Sequence, residues 1–145
     1  MATKKTVKVV EAEADPFDLD TMLADLDPDA RVKVESAIED APAFKPAKAL
    51  RVGAKENFKL AVVTFGEMAR EQRDADRDGN DMLVAQINSQ MVRMVDTLLE
   101  EISVRPSDYI TWSSDIDTEF AGLVLVILFM QQASLLGKSE PSEQS

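Results

Sequence analysis

The stretch FAGLVLVILFM (residues 120–130) decides how this chain folds, because it contains no charged side chain and is apolar on nearly every side of a helix. Asp117 and Glu119 precede it, where acidic residues complement the dipole of a helix N-terminus. As a helix, this stretch spans about 16 Å, against roughly 30 Å of hydrocarbon in a bilayer. We therefore expect a helix that is covered by the protein core or by a partner, and not one that crosses a membrane.

In the rest of the chain, apolar residues recur at helical spacing in several segments. These segments are separated by two Asp-Pro pairs, a polar break and a further proline. Asp15 with Pro16, and Asp27 with Pro28, each combine a capping side chain with a proline suited to the first helical position. Two longer amphipathic patterns follow, separated by a polar break, and a further proline starts a short helix. The helices predicted after the first two starts cover 54–76, 81–103 and a short segment from Pro106, before a last helix capped by Ser114 or Asp115.

These patterns predict an all-α fold, a small bundle of four to five helices with disordered tails at both ends. A chain of 145 residues is long enough to bury a core without disulfides or metals. The Pro- and Gly-containing connector before residue 54 allows a short strand near 48–52. We expect a flexible arm at 1–14, one helical domain at 15–137 that ends at Gly137, and a disordered tail at 138–145.

The chain has no histidine and no cysteine, which removes His-based triads, thiol chemistry and zinc sites with those ligands. A pair of carboxylates could still serve a hydrolase. The acidic residues, however, cluster at helix starts and in polar loops, where capping accounts for them. We therefore expect no enzyme, no catalytic residue and no cofactor; paired acids in a pocket with raised pKa values would indicate otherwise.

Residues 74–79, DADRDG, match the first half of a calcium-binding EF-hand loop. The match fails at the twelfth position, where Ala85 replaces the bidentate glutamate, and at the eighth, which is the charged Asp81. A solvated turn between helices is the favoured interpretation, and no metal site is expected.

Charge is unevenly distributed along this acidic chain, which has a net charge of −11 and a pI near 4.4. Residues 1–40 and 74–145 are acidic, whereas 41–73 carry seven basic and three acidic residues. The net charge argues against binding to nucleic acid through its phosphates. The basic segment at 45–59 either pairs internally, which we favour, or docks an acidic partner.

Protein contact is the remaining role for the apolar surface. Tyr109 and Trp112 are the only tyrosine and the only tryptophan, and they lie in a loop or short helix beside a polar stretch. They either anchor such a contact or cover the edge of the bundle. Methionines 82, 91 and 94 are compatible with an adaptable groove, but ordinary core is favoured. The candidate partner-binding residues are Tyr109, Trp112, Phe120, Leu123, Val124, Ile127 and Met130.

The sequence resembles the tail assembly chaperones of long-tailed (siphovirus-type) phages of actinobacteria. The resemblance rests on four segments: DPFDLD (15–20), AFKP (43–46), RPSDYITW (105–112), and LLGK (135–138) after the apolar helix. It covers most of the chain. Members of this family are similar in size, acidic and largely helical.

The resemblance implies a chaperone that binds the tape-measure protein, keeps it soluble and helps to recruit tail-tube subunits. Such a protein acts in the host cytoplasm and is absent from the mature virion, without nucleic acid or membrane. From the apolar helix and the net charge we also expect self-association or client binding through the last two long helices. The family also makes a longer product by a −1 ribosomal frameshift. The codons of Gly137 and Lys138 can form part of the slippery heptamer that such a frameshift needs. Alternatives are a structural virion protein of the tail or head–tail region, expected to be β-rich, and an acidic inhibitor of a host nucleic-acid enzyme, with carboxylates in rows.

Overall fold

Five α-helices form the part of the chain that the computed structural model describes, which is residue 20 and residues 23–144, with side chains to residue 136. The flexible arm predicted at 1–14 and the helix start at Asp15 lie outside these residues. The buried apolar side chains form one core. The elements are α1 (Pro28–Glu39), a 3₁₀ turn (Ala47–Ala49), α2 (Val52–Arg77), α3 (Asp81–Glu101), α4 (Pro106–Asp115) and α5 (Thr118–Gln144).

Helix α1 begins where the sequence predicts. The Asp27 side chain accepts a hydrogen bond from the Ala30 N–H at 2.8 Å, and Pro28 takes the first helical position. The cap satisfies one of the amide donors that a helix start leaves without a partner, and the proline lacks such a donor. The predicted start at Asp27 is therefore confirmed. The five helices of the described residues confirm the predicted all-α fold.

Helices α2 and α3 form an antiparallel hairpin. The Gln72 side chain donates to the Val84 carbonyl at 3.2 Å near the turn, and Asn57 donates to Glu101 at 3.4 Å at the far end. These two bonds join residues whose positions along the helices run in opposite directions. The hairpin presents one continuous apolar side to the rest of the chain.

The turn of the hairpin is a Schellman motif centred on Gly79, which has a φ of 76°. The Asn80 N–H donates to the Ala75 carbonyl at 2.9 Å, and the Gly79 N–H donates to the Asp76 carbonyl at 3.0 Å. Asn80 also caps α3, because its side chain accepts from the Leu83 N–H at 3.2 Å. Two adjacent residues therefore end one helix and begin the next.

Helix α5 crosses the hairpin and supplies much of its core. Val124, Leu125, Ile127, Leu128 and Phe129 are all buried. The Phe129 ring lies between two rings of α2, with centroids 5.1 Å from Phe58 and 5.2 Å from Phe65. Close packing against α3 occurs at Gly122, where an added Cβ would lie 3.2 Å from Val92. These contacts place the most apolar segment at the centre of the bundle.

Three details of the predicted secondary structure are wrong. Residues 48–52 form no strand, since Ala47–Ala49 is a 3₁₀ turn and Val52 already belongs to α2. Among the described residues, strand-like pairing joins Phe44 and Ser103 instead, with the Lys45 N–H donating to the Ile102 carbonyl at 2.8 Å. This pairing gives hydrogen-bond partners to backbone groups of the connector, which have none within a helix.

The two other differences concern α5. Its first turn is capped by Asp117, which accepts from the Glu119 N–H at 3.1 Å, and not by Ser114 or Asp115, because α4 continues to Asp115. The helix also continues past Gly137 to Gln144, whereas the sequence predicts that it ends at Gly137. A glycine inside a helix costs only about 1 kcal/mol relative to alanine, which is too little to end it.

We expect Gly79→Ala to lower the free energy of unfolding by about 1–2 kcal/mol, because its positive φ places a Cβ in a disfavoured conformation. Gly66→Ala is the matched control. Gly66 lies inside α2, an added Cβ meets no atom within 4 Å, and the change should stabilise by about 0.5–1 kcal/mol. Urea unfolding checks both, and equal midpoints for the two variants would contradict the assignment of the turn.

Candidate protein-binding surfaces

Helix α4 is fixed in place by its two large aromatic residues. Tyr109 is buried, and its hydroxyl donates to Asp96 of α3 at 2.7 Å. Its ring contacts Phe44 of the connector at 6.4 Å and Trp112 at 5.7 Å between centroids. Burial raises the pKa of Tyr109 well above its ordinary value, and the hydrogen bond and charge of Asp96 act in the same direction. Tyr109 is thus a neutral donor that holds α4 against α3.

Trp112 joins α4 to the end of α1. Its indole N–H donates to the Ala37 carbonyl at 3.0 Å. Ala37 lies in the last turn of α1, where the backbone carbonyls have no N–H partner within the helix. The indole therefore satisfies a backbone group that would otherwise need water. One face of the half-buried ring remains part of the surface between the two helices.

A groove of about 620 Å³ runs between α1 and the junction of α4 with α5. Its volume is within the range of about 300–1,000 Å³ found for ligand-binding clefts. Three carboxylates and one ammonium group surround an apolar floor, so the rim is acidic. Apolar residues of the groove are Val32, Ala37, Trp112, Ile116 and Phe120, and its charged residues are Lys33, Asp40, Asp115 and Asp117.

A second apolar surface lies along α5 itself. Leu123, Val126, Met130 and Ala133 are each half-buried, and their spacing of three or four residues places them in one stripe along the helix. The stripe is about 15 Å long at the rise of an α-helix. Each of these side chains also packs against the core, so each is only partly accessible. We call these four residues the α5 stripe.

The seven candidate partner-binding residues fall into three groups in the structure. Tyr109, Val124 and Ile127 are buried in the core, so for them the prediction of partner contact is corrected. An all-round apolar helix gives no sequence signal for which side its own chain covers. Contact remains predicted for the other four: Trp112 and Phe120 in the groove, and Leu123 and Met130 in the α5 stripe.

Most residues of the groove carry no signal in the sequence. Val32 is 63% exposed in α1, and Ile116 lies in the two-residue link before α5. Neither belongs to an apolar repeat, and only the packing of α1 against the junction of α4 with α5 brings them together. The one signal available in the sequence was an isolated valine between charged residues at 31–33.

The EF-hand-like segment, residues 74–79, forms the end of α2 and the hairpin turn. This agrees with the favoured interpretation of a turn between two helices. Asp74 pairs with Arg77 one turn away, and Gly79 belongs to the Schellman motif. Within the described part of the chain, no group of three or more acidic residues is arranged to hold a metal ion. Of the three methionines, Met91 is buried, Met94 is half-buried and Met82 is exposed.

By length and composition alone, the segment Thr118–Leu136 of α5 would suffice to cross a membrane. The core helix of a soluble protein meets the same criterion, and the packing of Phe129 between Phe58 and Phe65 is of that kind. The prediction that this helix is too short for a bilayer rests on the apolar stretch 120–130 alone, and the helix extends beyond it at both ends. That α5 does not cross a membrane therefore stays a prediction.

No protein-family model, curated protein or solved structure matches the chain.

The buried phenol of Tyr109 predicts a distinctive alkaline titration. Because its pKa is raised in the folded protein, the unfolded chain releases this proton first, and the stabilising contribution is lost as the pH rises beyond about 10. Tyr109 is the only tyrosine, so the absorbance of its phenolate reports this directly. We expect ionisation to coincide with loss of helical circular dichroism. Ionisation near pH 10 with the helices intact would contradict the burial of the hydroxyl.

Proposed function

We propose that this protein is a tail assembly chaperone of a long-tailed actinobacteriophage. It binds the tape-measure protein in the host cytoplasm, keeps it soluble and helps to recruit tail-tube subunits, without a cofactor and without catalysis. The proposal rests on the resemblance of the four sequence segments given above. The helical fold is compatible with it, whereas the alternative of a structural virion protein was expected to be rich in strands.

The α5 stripe is the observation that carries the proposal. A tape-measure protein is long and carries helical apolar segments that would aggregate before assembly. An amphipathic helix of such a client can lie along a stripe of apolar side chains at helical spacing. Leu123 and Met130 lie one above the other there and are both half-buried, so they are accessible without unfolding of the bundle.

The net charge supports the same role. With 27 acidic and 16 basic residues, the chain adds negative charge to every complex that it forms. Repulsion between such complexes keeps an apolar client dissolved. The exposed carboxylates at both ends of the helices remain in solvent when a client covers the α5 stripe.

Co-expression with the products of neighbouring genes tests the proposal. We expect the tape-measure protein to be soluble and to co-purify with the wild-type chain. Leu123→Gln with Met130→Gln should reduce the recovered client by about tenfold, because two buried contacts would be replaced by amides that lose hydration. Met82→Gln is the matched control, since Met82 is 73% exposed on α3 and should have no effect.

Thermal unfolding of each variant distinguishes loss of client binding from loss of folding. If the tape-measure protein is equally soluble without the chain, or does not co-purify with the folded wild type, the proposal is wrong. The frameshifted product has its own test in the gene. A slippery run at the codons of Gly137 and Lys138 with an overlapping downstream frame supports it, and the absence of both removes it.

A further inference from the structure

The outer side of α2 exposes aliphatic residues that the bundle does not use. Val52 is 76% exposed, Leu60 is 67% exposed and Val63 is 60% exposed. Their spacing of eight and three residues places them on the same side of the helix, opposite the side on which Phe58 and Phe65 are buried. A cluster of this kind on a protein surface is typical of an interaction site.

Basic side chains flank these aliphatic residues at the start of α2, and the one acidic residue on the same side there, Glu56, is paired with Lys59. Lys48 and Arg51 are exposed and Lys55 is half-buried, and none of them forms an ion pair with another described residue. The first turn of α2 contains no acidic residue. Because the positive end of the helix dipole lies there, these charges are unfavourable for the helix itself. We call the three aliphatic and three basic residues the α2 face.

The groove between α1 and the α4–α5 junction has the opposite character. Its floor is apolar, and two of its carboxylates, Asp40 and Asp115, lie at the C-terminal ends of α1 and α4. The negative end of a helix dipole disfavours acidic groups at that place. Neither carboxylate has a hydrogen-bonding or ionic partner among the described side chains. Local folding therefore accounts for neither set of charges.

We propose that the groove of one copy of the chain receives the α2 face of a second copy. Aliphatic residues of α2 would cover the apolar floor, while Lys48, Arg51 and Lys55 approach the acidic rim. The complementary signs of the two surfaces select this occupant. The inference concerns self-association alone and does not depend on the proposed function.

The two surfaces cannot meet within one copy. The buried side of α2 faces Phe129 of α5, so the α2 face points away from α5, whereas the groove is built on the first turn of α5 at Phe120. Contact between two different surfaces closes a dimer when it is reciprocated about a two-fold axis, and otherwise gives a ring or an open chain. In each case the groove of one copy is filled by the α2 face of another.

Sedimentation velocity over a range of protein concentrations tests the proposal on the full chain. At low salt, about 20 mM, the sedimentation coefficient of the wild type should rise with concentration above that of the monomer. At about 500 mM salt, charge pairs in solvent are screened, and association should weaken by about tenfold. Trp112 is the only tryptophan and lines the groove, so its fluorescence should change over the same concentrations.

Charge reversal at either surface should abolish this association. The groove variant is Asp40→Lys with Asp115→Lys, and the α2-face variant is Lys48→Glu with Arg51→Glu. Each change places a charge where the helix dipole favours it, so the melting temperature should not fall. The control is Arg73→Glu with Arg93→Glu, which alters net charge as the α2-face variant does, at exposed positions outside both surfaces. The control should assemble like the wild type.

Mixing the two variants is the decisive step. Each retains the surface that the other lacks, and the reversed groove of one is complementary in charge to the reversed α2 face of the other, so equal amounts should co-assemble. A chain that carries all four reversals should assemble again for the same reason. A wild type that stays monomeric at low salt overturns the proposal. So does an assembly that survives in both variants, or a failure of the two variants to pair.

Discussion

Phe129 lies between Phe58 and Phe65, with ring centroids 5.1 and 5.2 Å away, and this contact fixes the hydrophobic helix α5 against the α2–α3 hairpin. Full burial of one large apolar side chain contributes about 1.5–3 kcal/mol. The buried residues of α5 together therefore contribute roughly 10 kcal/mol, which is comparable to the whole net stability of a domain. Without this helix the hairpin would expose its apolar side to water.

Polar contacts then determine how the shorter helices surround α5. Tyr109 and Trp112 each combine a large apolar ring with one hydrogen-bond donor, and both donors are used, toward Asp96 and the Ala37 carbonyl. These two bonds orient α4 between α3 and α1. The groove exists because α4 is held in that position and because the link to α5 is short. Its surface chemistry is thus a consequence of the core. Asp117 of the groove caps α5, whereas Asp40 and Asp115 lie where the helix dipole disfavours them.

The sequence predicts what is local and misses what depends on packing. The start of α1 at Asp27 and the start of α4 at Pro106 follow from capping and proline geometry, which act within one turn. The cap of α5 was misplaced because α4 extends to Asp115, and that extension is not encoded in any capping residue. The end at Gly137 was wrong because a glycine only weakens a helix. The predicted partner-binding residues divide similarly, since Val124 and Leu123 are adjacent in an apolar run and only the fold separates a buried side chain from a half-buried one.

Hydrogen–deuterium exchange of the isolated chain tests most directly whether α5 is covered by its own chain. The amides of residues 124–129 should exchange only when the whole molecule unfolds, with the same free energy as that from urea unfolding. Terminal residues of the helix should exchange faster. If residues 124–129 exchange at a free energy far below that of global unfolding, and become protected only after another protein or a membrane is added, then α5 is not the core helix of this bundle.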